Sequence, residues 1–266
     1  MNEVKILSAS GQLGYGFTKV AFQEGLNRNP DFIGADGGST DGGPAYLGAG
    51  KTLASKRAVK RDLSIALAGA LSKKVPLIIG SAGTAGAKPH LEWFLNILQE
   101  INTENDYHYK LAVIYSDQEK TFLKNKLREG KIKPLNEADP KLTEQDIDDS
   151  VNIVGQMGFD PIMEALKMKA DVIVAGRSTD CAIYTAFPYL HGFDLGLAIH
   201  MAKILECGAQ CSIPAAGRDS MWAILRKDHF ILEPLHPIRH CTPFSIAAHT
   251  MYEQPDPYDI YEPEGM

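Results

Sequence analysis

The sequence is short of cysteine, of positive charge and of long apolar runs. Four cysteines, Cys181, Cys207, Cys211 and Cys241, serve a chain of 266 residues, too sparse a set for a disulfide framework. The formal charge is -6 and the sequence pI about 5.8. That balance argues against a nucleic-acid partner, which needs a dominant basic surface. It leaves a small anionic ligand open, because a local basic pocket can sit on an acidic protein. No apolar stretch reaches the roughly 20 residues that span a bilayer, and the opening MNEVKILSAS has no secretory leader pattern. No membrane partner and a cytoplasmic location are therefore expected. Three catalytic signatures are missing as well. There is no Gly-x-Gly-x-x-Gly with a downstream acid, no Gly-Lys-Ser/Thr phosphate loop and no Gly-x-Ser-x-Gly elbow. These absences weigh against a nicotinamide dehydrogenase, a nucleotide enzyme and a serine hydrolase. The cofactor stays open, a divalent metal included.

With 44% hydrophobic residues the chain can bury one substantial core or two small ones. Short apolar runs alternate with longer amphipathic ones. Strands are predicted at Val4–Leu7, Asp31–Ala35, Val75–Ile79, Leu111–Tyr115 and Asp171–Ala175. Helices are predicted at Phe17–Leu26, Ser55–Ser72, Pro89–Ile101, from an Asp117 cap to Arg128, at Asp160–Lys169, around Cys181–Phe187 and at Leu195–Glu206. Repeated strand, helix, strand units indicate an α/β fold, a parallel, doubly wound sheet with helices on both faces. The continuous apolar character of Leu77–Ile79 and Val172–Val174 fits strands buried on both sides. Lys131–Asp149, polar and carrying two prolines, reads as a surface excursion with little structure. Beyond Pro214, two apolar runs flank Arg226–His229 as a hairpin, and Thr242-Pro243 opens a helix. The division is an α/β domain over 1–213 and a hairpin and helix extension over 214–266, packed on the same domain.

Five predicted strands end in small polar residues. In an open parallel sheet these ends share one edge, where ligands bind. Asp36–Gly43 offers two carboxylates, Asp36 and Asp41, with Gly37, Gly38, Ser39 and Thr40 between them. One carboxylate would act as a general base while the other orients it or holds a cation; a plain aspartate–glycine turn is the alternative. Ser81–Gly86, with Gly83 and Thr84, reads either as an anion cradle near Lys88 or as close helix–strand packing. Gly176–Cys181 joins Arg177, Ser178, Thr179 and Asp180. Arg177 can fork onto a carboxylate, or it and Asp180 can simply pair. Ser10 and Gly11 begin a weak phosphate-loop pattern that runs to Gly16. Lys56, Arg57, Lys60 and Arg61 read as a solvated helix face, with the acidic tail of coenzyme A as the alternative partner. Cys207 and Cys211 have a metal-like spacing but no second ligand pair, which favours a core role. The catalytic candidates are thus Asp36, Asp41, Arg177 and Asp180.

The segments ILSASGQLGYGF, IGADGGSTDGGPAYLGAGK, VPLIIGSAGTAGAKPHLEWF, VIVAGRSTDCAIYT and LEPLHPIRHCTPFSIAAHTMYE resemble the acyclic terpene utilisation family. The resemblance runs from near Val4 to Gly265. It implies a link to catabolism through acyl-coenzyme A intermediates, and it maps the family's Asp-containing glycine loop onto Asp36–Gly43 and its Gly-Arg-x-x-Asp loop onto Arg177–Asp180. Relatives continue past the segment that ends here at Met266, so the chain reads as the N-terminal portion of a longer protein. The expectation is a lyase, hydratase or isomerase on a small carboxylate or acyl-coenzyme A ester. The rival is a non-catalytic binding subunit. A homo-oligomer is expected, as for most soluble enzymes.

Overall fold

The chain's computed structural model describes residues 1–38, 43–134, 138–216, 218–254 and 256–265. Its elements, in chain order, are β1 (Val4–Ser8), α1 (Lys19–Asn27), β2 (Phe32–Gly38), α2 (Gly43–Ala49), α3 (Lys56–Lys73), β3 (Leu77–Thr84), α4 (Lys88–Asn105), β4 (Leu111–Ile114), α5 (Lys120–Arg128), α6 (Glu144–Asp149), α7 (Asp160–Lys167), β5 (Val172–Ala175), α8 (Ala182–Leu190), α9 (Leu195–Leu205), β6 (Met221–Leu225), β7 (Phe230–Pro234) and α10 (Pro243–Thr250).

All the strands named belong to one sheet of order β4-β5-β3-β2-β1-β6-β7. β4, β5, β3, β2 and β1 run parallel. β6 is antiparallel to β1, and β7 to β6. The expected all-parallel sheet is corrected accordingly: the hairpin does not sit beside the sheet but extends it past β1. The physical reason is connectivity. A tight hairpin can join only antiparallel neighbours, so once β6 has paired with β1, β7 must turn back along it.

Helices cover both faces. Leu7, Ile33, Leu77, Ile79 and Val174 face α1, α3 and α4, while Ile6, Phe32, Ile78 and Ile173 face α7, α8 and α9. Each parallel strand thus sends successive side chains into two different cores, which is why its apolar run is unbroken. A fully buried Ile, Leu or Phe contributes about 1.5–3 kcal/mol, so either core supplies a large favourable term. The cover of the second face is carried by α8, where every residue from Ala182 to Pro188 is buried. Such a helix, apolar all round, needs protein on every side; α7, α9 and the sheet supply it.

Local signals explain most boundaries. Thr18, Ser55 and Asp194 accept hydrogen bonds from the first-turn amides of α1, α3 and α9. Thr242 and Ser245 form a reciprocal capping box at α10. Two expectations fail. Asp117 does not cap α5; its carboxylate accepts from the Lys88 amide at the start of α4, 3.0 Å away. The Lys131–Asp149 stretch is not devoid of structure either, since a Thr143–Asp146 capping box starts α6 within it.

Candidate functional site

The parallel strands end along one rim, and the chain places β2, β3 and β5 side by side there. Asp36 lies near the end of β2 opposite Gly80 of β3. Its pairing partner jumps from Gly80 to Thr84 between Asp36 and Gly38, an irregularity that bends β3 over the rim. The Ser81–Gly86 stretch, read in the sequence as a loop, is therefore mostly strand, with β3 running to Thr84. Ser81 and Thr84 occupy it at positive φ, a backbone geometry that stores strain and clusters at functional sites.

Glycine permits the close approach. A Cβ at Gly38 would collide with the Ser81 and Thr84 carbonyls, and one at Gly86 with the Arg177 amide nitrogen. That approach sets the start of the Gly176–Cys181 turn directly against β3. Ser116, at the end of β4, fixes it further: its hydroxyl donates to the Gly86 carbonyl at 3.0 Å and accepts from the Arg177 amide at 2.8 Å.

Asp36 is 3% exposed and Arg177 6%. Asp180, reached from the β5 end, keeps about a third of its side chain open, at 34%. Arg177 donates from Nη2 to Asp180 Oδ1 at 3.0 Å and from Nε and Nη2 to the Ser178 carbonyl. Asp36 accepts from the Gly38 amide at 3.0 Å, and its carboxyl lies close enough to that of Asp180 for each to perturb the other. Two carboxyls held together out of water resist ionising at once. Burial, with the Asp180 charge next, pushes Asp36 well above the usual carboxylate range, against the pull of Arg177 and of the Gly38 amide. Burial also raises Asp180, while Arg177 and Lys203 pull it down. Both groups are thus drawn toward the protonated form, Asp36 the more strongly.

A second buried charge cluster adjoins the first. Glu206, just past α9, is pushed up to about 7 by burial and by the Asp180 charge, against the Lys203 ammonium. Lys203 Nζ sits 2.5 Å from Glu206 Oε1, and the Cys181 thiol donates to Glu206 Oε2 at 3.1 Å. Tyr184 shares a 2.8 Å hydrogen bond with Ser8, whose hydroxyl also donates to the Leu205 carbonyl. Thr179 Oγ1, one residue before Asp180, is buried without a hydrogen-bond partner among the described residues. Sequence reasoning missed Lys203 and Glu206. Their signal was a charged i, i+3 pair closing an otherwise apolar helix, LGLAIHMAKILE, where an unpaired lysine would be intolerable.

The remaining candidates divide clearly. Arg177, Asp180 and Asp36 come together. Gly37 and Gly38 lie beside them in β2, and Ser178 Oγ, above Gly80, is buried without a hydrogen-bond partner among the described residues. Ser81 hydrogen-bonds through its hydroxyl to Ser178 backbone atoms, and Thr84 Oγ1 accepts from the Leu53 amide. Gly83 abuts the His90 carbonyl. These three form the floor under the turn. Ser10 closes a local turn with Gln12, Gly11 following it. The phosphate-like loop beyond is corrected by its contacts: Gly14 and Gly16 donate their amides to the buried carboxylate of Asp62, at 2.8 and 2.9 Å. Its anion is internal. Ser39, Thr40 and Asp41 lie outside the described residues. Lys56 and Lys60 pair across to Glu100, and Lys60 also to Glu104, while Arg61 pairs with Asp62. Among the described residues no group of three His, Cys, Asp or Glu side chains is placed to hold a metal ion, and no helix is long and apolar enough to cross a membrane.

Fold and rim together define an α/β protein with a buried aspartate pair and an arginine at the C-terminal edge of its parallel strands. The particular family is equally plain. Residues 6–217 match the family described as acyclic terpene utilisation family protein AtuA, and the chain belongs to that family. The matched region begins inside β1, runs through α9 and stops short of the β6–β7 hairpin. Comparison with curated proteins gives no match, and comparison with solved structures gives none.

Proposed function

We propose that the chain is a catabolic enzyme of the lyase, hydratase or isomerase type that moves protons on a small carboxylate or acyl-coenzyme A substrate. The reading rests on one observation: Asp36 near the end of β2 and Asp180 in the turn past β5 meet beside the buried Arg177. Carboxyl groups whose surroundings separate their proton affinities divide into acid and base. In this division Asp180, the more exposed and ionised member, takes the proton next to the substrate carbonyl. Asp36 delivers its proton to the leaving hydroxyl or the far carbon. Arg177 holds the substrate carboxylate or developing enolate oxygen, with Ser178 Oγ as a further donor. Between the two substrate classes, the free carboxylate has more support. Arg177 stands among the carboxyls at the strand ends, whereas the lysines considered for a coenzyme A phosphate pair with glutamates of α4.

The test is a thermal-shift panel of short and branched carboxylates and their coenzyme A thioesters, followed by α-proton exchange into deuterated water for every hit. At least one compound is expected to raise Tm by mass action. Arg177→Lys should weaken that compound about tenfold or more, since a point charge replaces a bidentate fork. Asp180→Asn should keep the shift and lose exchange by about 100-fold or more. Binding without exchange in the unaltered chain would support the accessory binding subunit instead. Binding indifferent to both substitutions would remove the site.

A further inference from the structure

We propose that Cys211 and Cys241 form an oxidisable dithiol, a modification site at which a peroxide closes a reversible disulfide. The two residues come from segments 30 positions apart in the chain, brought together by a short antiparallel bridge. Ile213 donates its amide to the His240 carbonyl at 2.7 Å, and His240 returns the bond at 3.0 Å. On the Cys211 side the backbone is further held by Ser212, whose hydroxyl donates to the Ala209 carbonyl at 2.5 Å and to that of Pro214 at 3.1 Å. Across this clamp both cysteines pack into one hydrophobic cluster, near enough for the two thiols to perturb each other. Cys211 is 2% exposed, and Cys241 packs on the same core while keeping partial access to solvent. That is the arrangement of an attacking sulfur at the surface with a resolving sulfur directly behind it.

The other two cysteines are set apart by their surroundings. Cys181 is buried and donates its proton to Glu206. Cys207 is pushed up by burial, with the Glu206 charge adding to the rise, so it stays a thiol and a poor nucleophile. Cys241 alone is drawn below the ordinary thiol range, by the neighbouring Cys211 thiol.

The chemistry balances. The Cys241 thiolate attacks one oxygen of hydrogen peroxide, the O–O bond breaks, and the departing hydroxide takes a proton to become water. Cys241 is then a sulfenic acid. The Cys211 sulfur attacks the Cys241 sulfur, the S–O bond breaks, and the second hydroxide leaves as water with the Cys211 proton. Two thiols are oxidised to one disulfide, and one peroxide is reduced to two waters. The closed loop contains β6 and β7 and ties the exit of α9 to the entrance of α10. A loop of that length removes enough freedom from the unfolded chain to raise Tm by several degrees.

The experiment treats the folded full chain with hydrogen peroxide, titrates free thiols and maps peptides without reduction. Free thiols are expected to fall from four to two. A Cys211–Cys241 cross-linked peptide should appear, and dithiothreitol should restore the starting state. Tm should rise with oxidation and return on reduction. Cys241→Ser should abolish the cross-link and the Tm change, while Cys207→Ser should leave both intact. The map of the unaltered chain decides the matter even where a variant folds poorly. A Cys207–Cys211 disulfide, sulfinic acid on Cys241 with Cys211 still free, or four intact thiols after peroxide has consumed added glutathione would each overturn the proposal.

Discussion

At the residue scale the site is a question of where protons rest. Asp36, Asp180 and Glu206 crowd acidic groups together, and burial raises all three above the ordinary carboxylate range, Glu206 to about 7. His249 shows the mirror case. It is 6% exposed, its Nε2 has no hydrogen-bond partner among the described residues, and burial, with Lys203 beside it, lowers it to about 4 from 6.5. A base depressed on folding contributes stability above its unfolded value and loses it as pH falls toward the folded one. His249→Phe keeps a ring stacked near Tyr252 and has nothing to charge. The variant is expected to match the unaltered chain at pH 7.5 and to gain on it as pH drops from 6.5 to 4, by up to about 3 kcal/mol. Urea unfolding at stepped pH checks this; a constant difference across the window would remove His249 as the cause.

At the element scale the rim depends on backbones that touch. Gly86 lies at φ +71, with the Arg177 amide where a side chain would begin. Gly86→Ala combines a left-handed backbone with overpacking, so a loss of about 2–4 kcal/mol is expected, read as a lower urea midpoint. The same change should blunt the carboxylate response, because it pushes Arg177 off its seat. This contact also shows what local sequence can and cannot convey. The apolar runs of β1, β3 and β5 and the helix start at Thr242-Pro243 were legible, since each is set by neighbours in the chain. The glycines at Gly83 and Gly86 read equally as an anion cradle or as close helix–strand packing, because composition cannot distinguish a ligand loop from backbones pressed together. For the same reason α2, with glycine at Gly43 and Gly48, went unmarked. Arg177 and Asp180 stood out as charges at a buried strand's end. Their meeting with Asp36, some 140 positions earlier in the chain, depended on sheet order, which no local pattern carries.

At the scale of the whole molecule the least legible feature was the place of the hairpin. Its two strands were plain from alternation and the polar turn at Arg226–His229, but nothing near them says that β6 lies against β1. The result is that the first strand of the chain is an interior one, flanked by β2 and β6.

That placement has a consequence for synthesis. β1 ends at Ser8 and β6 begins at Met221, so a ribosome adding about 5–20 residues each second leaves one side of the first strand bare for roughly ten to forty seconds. An uncovered strand edge invites pairing with another chain. Nascent chains arrested before Met221 are expected to need a chaperone or to precipitate on release, while chains arrested far enough beyond Pro234 for the hairpin to leave the tunnel should stay in solution. Equal solubility of the two would mean that something other than β6 shelters that edge while the protein is being made.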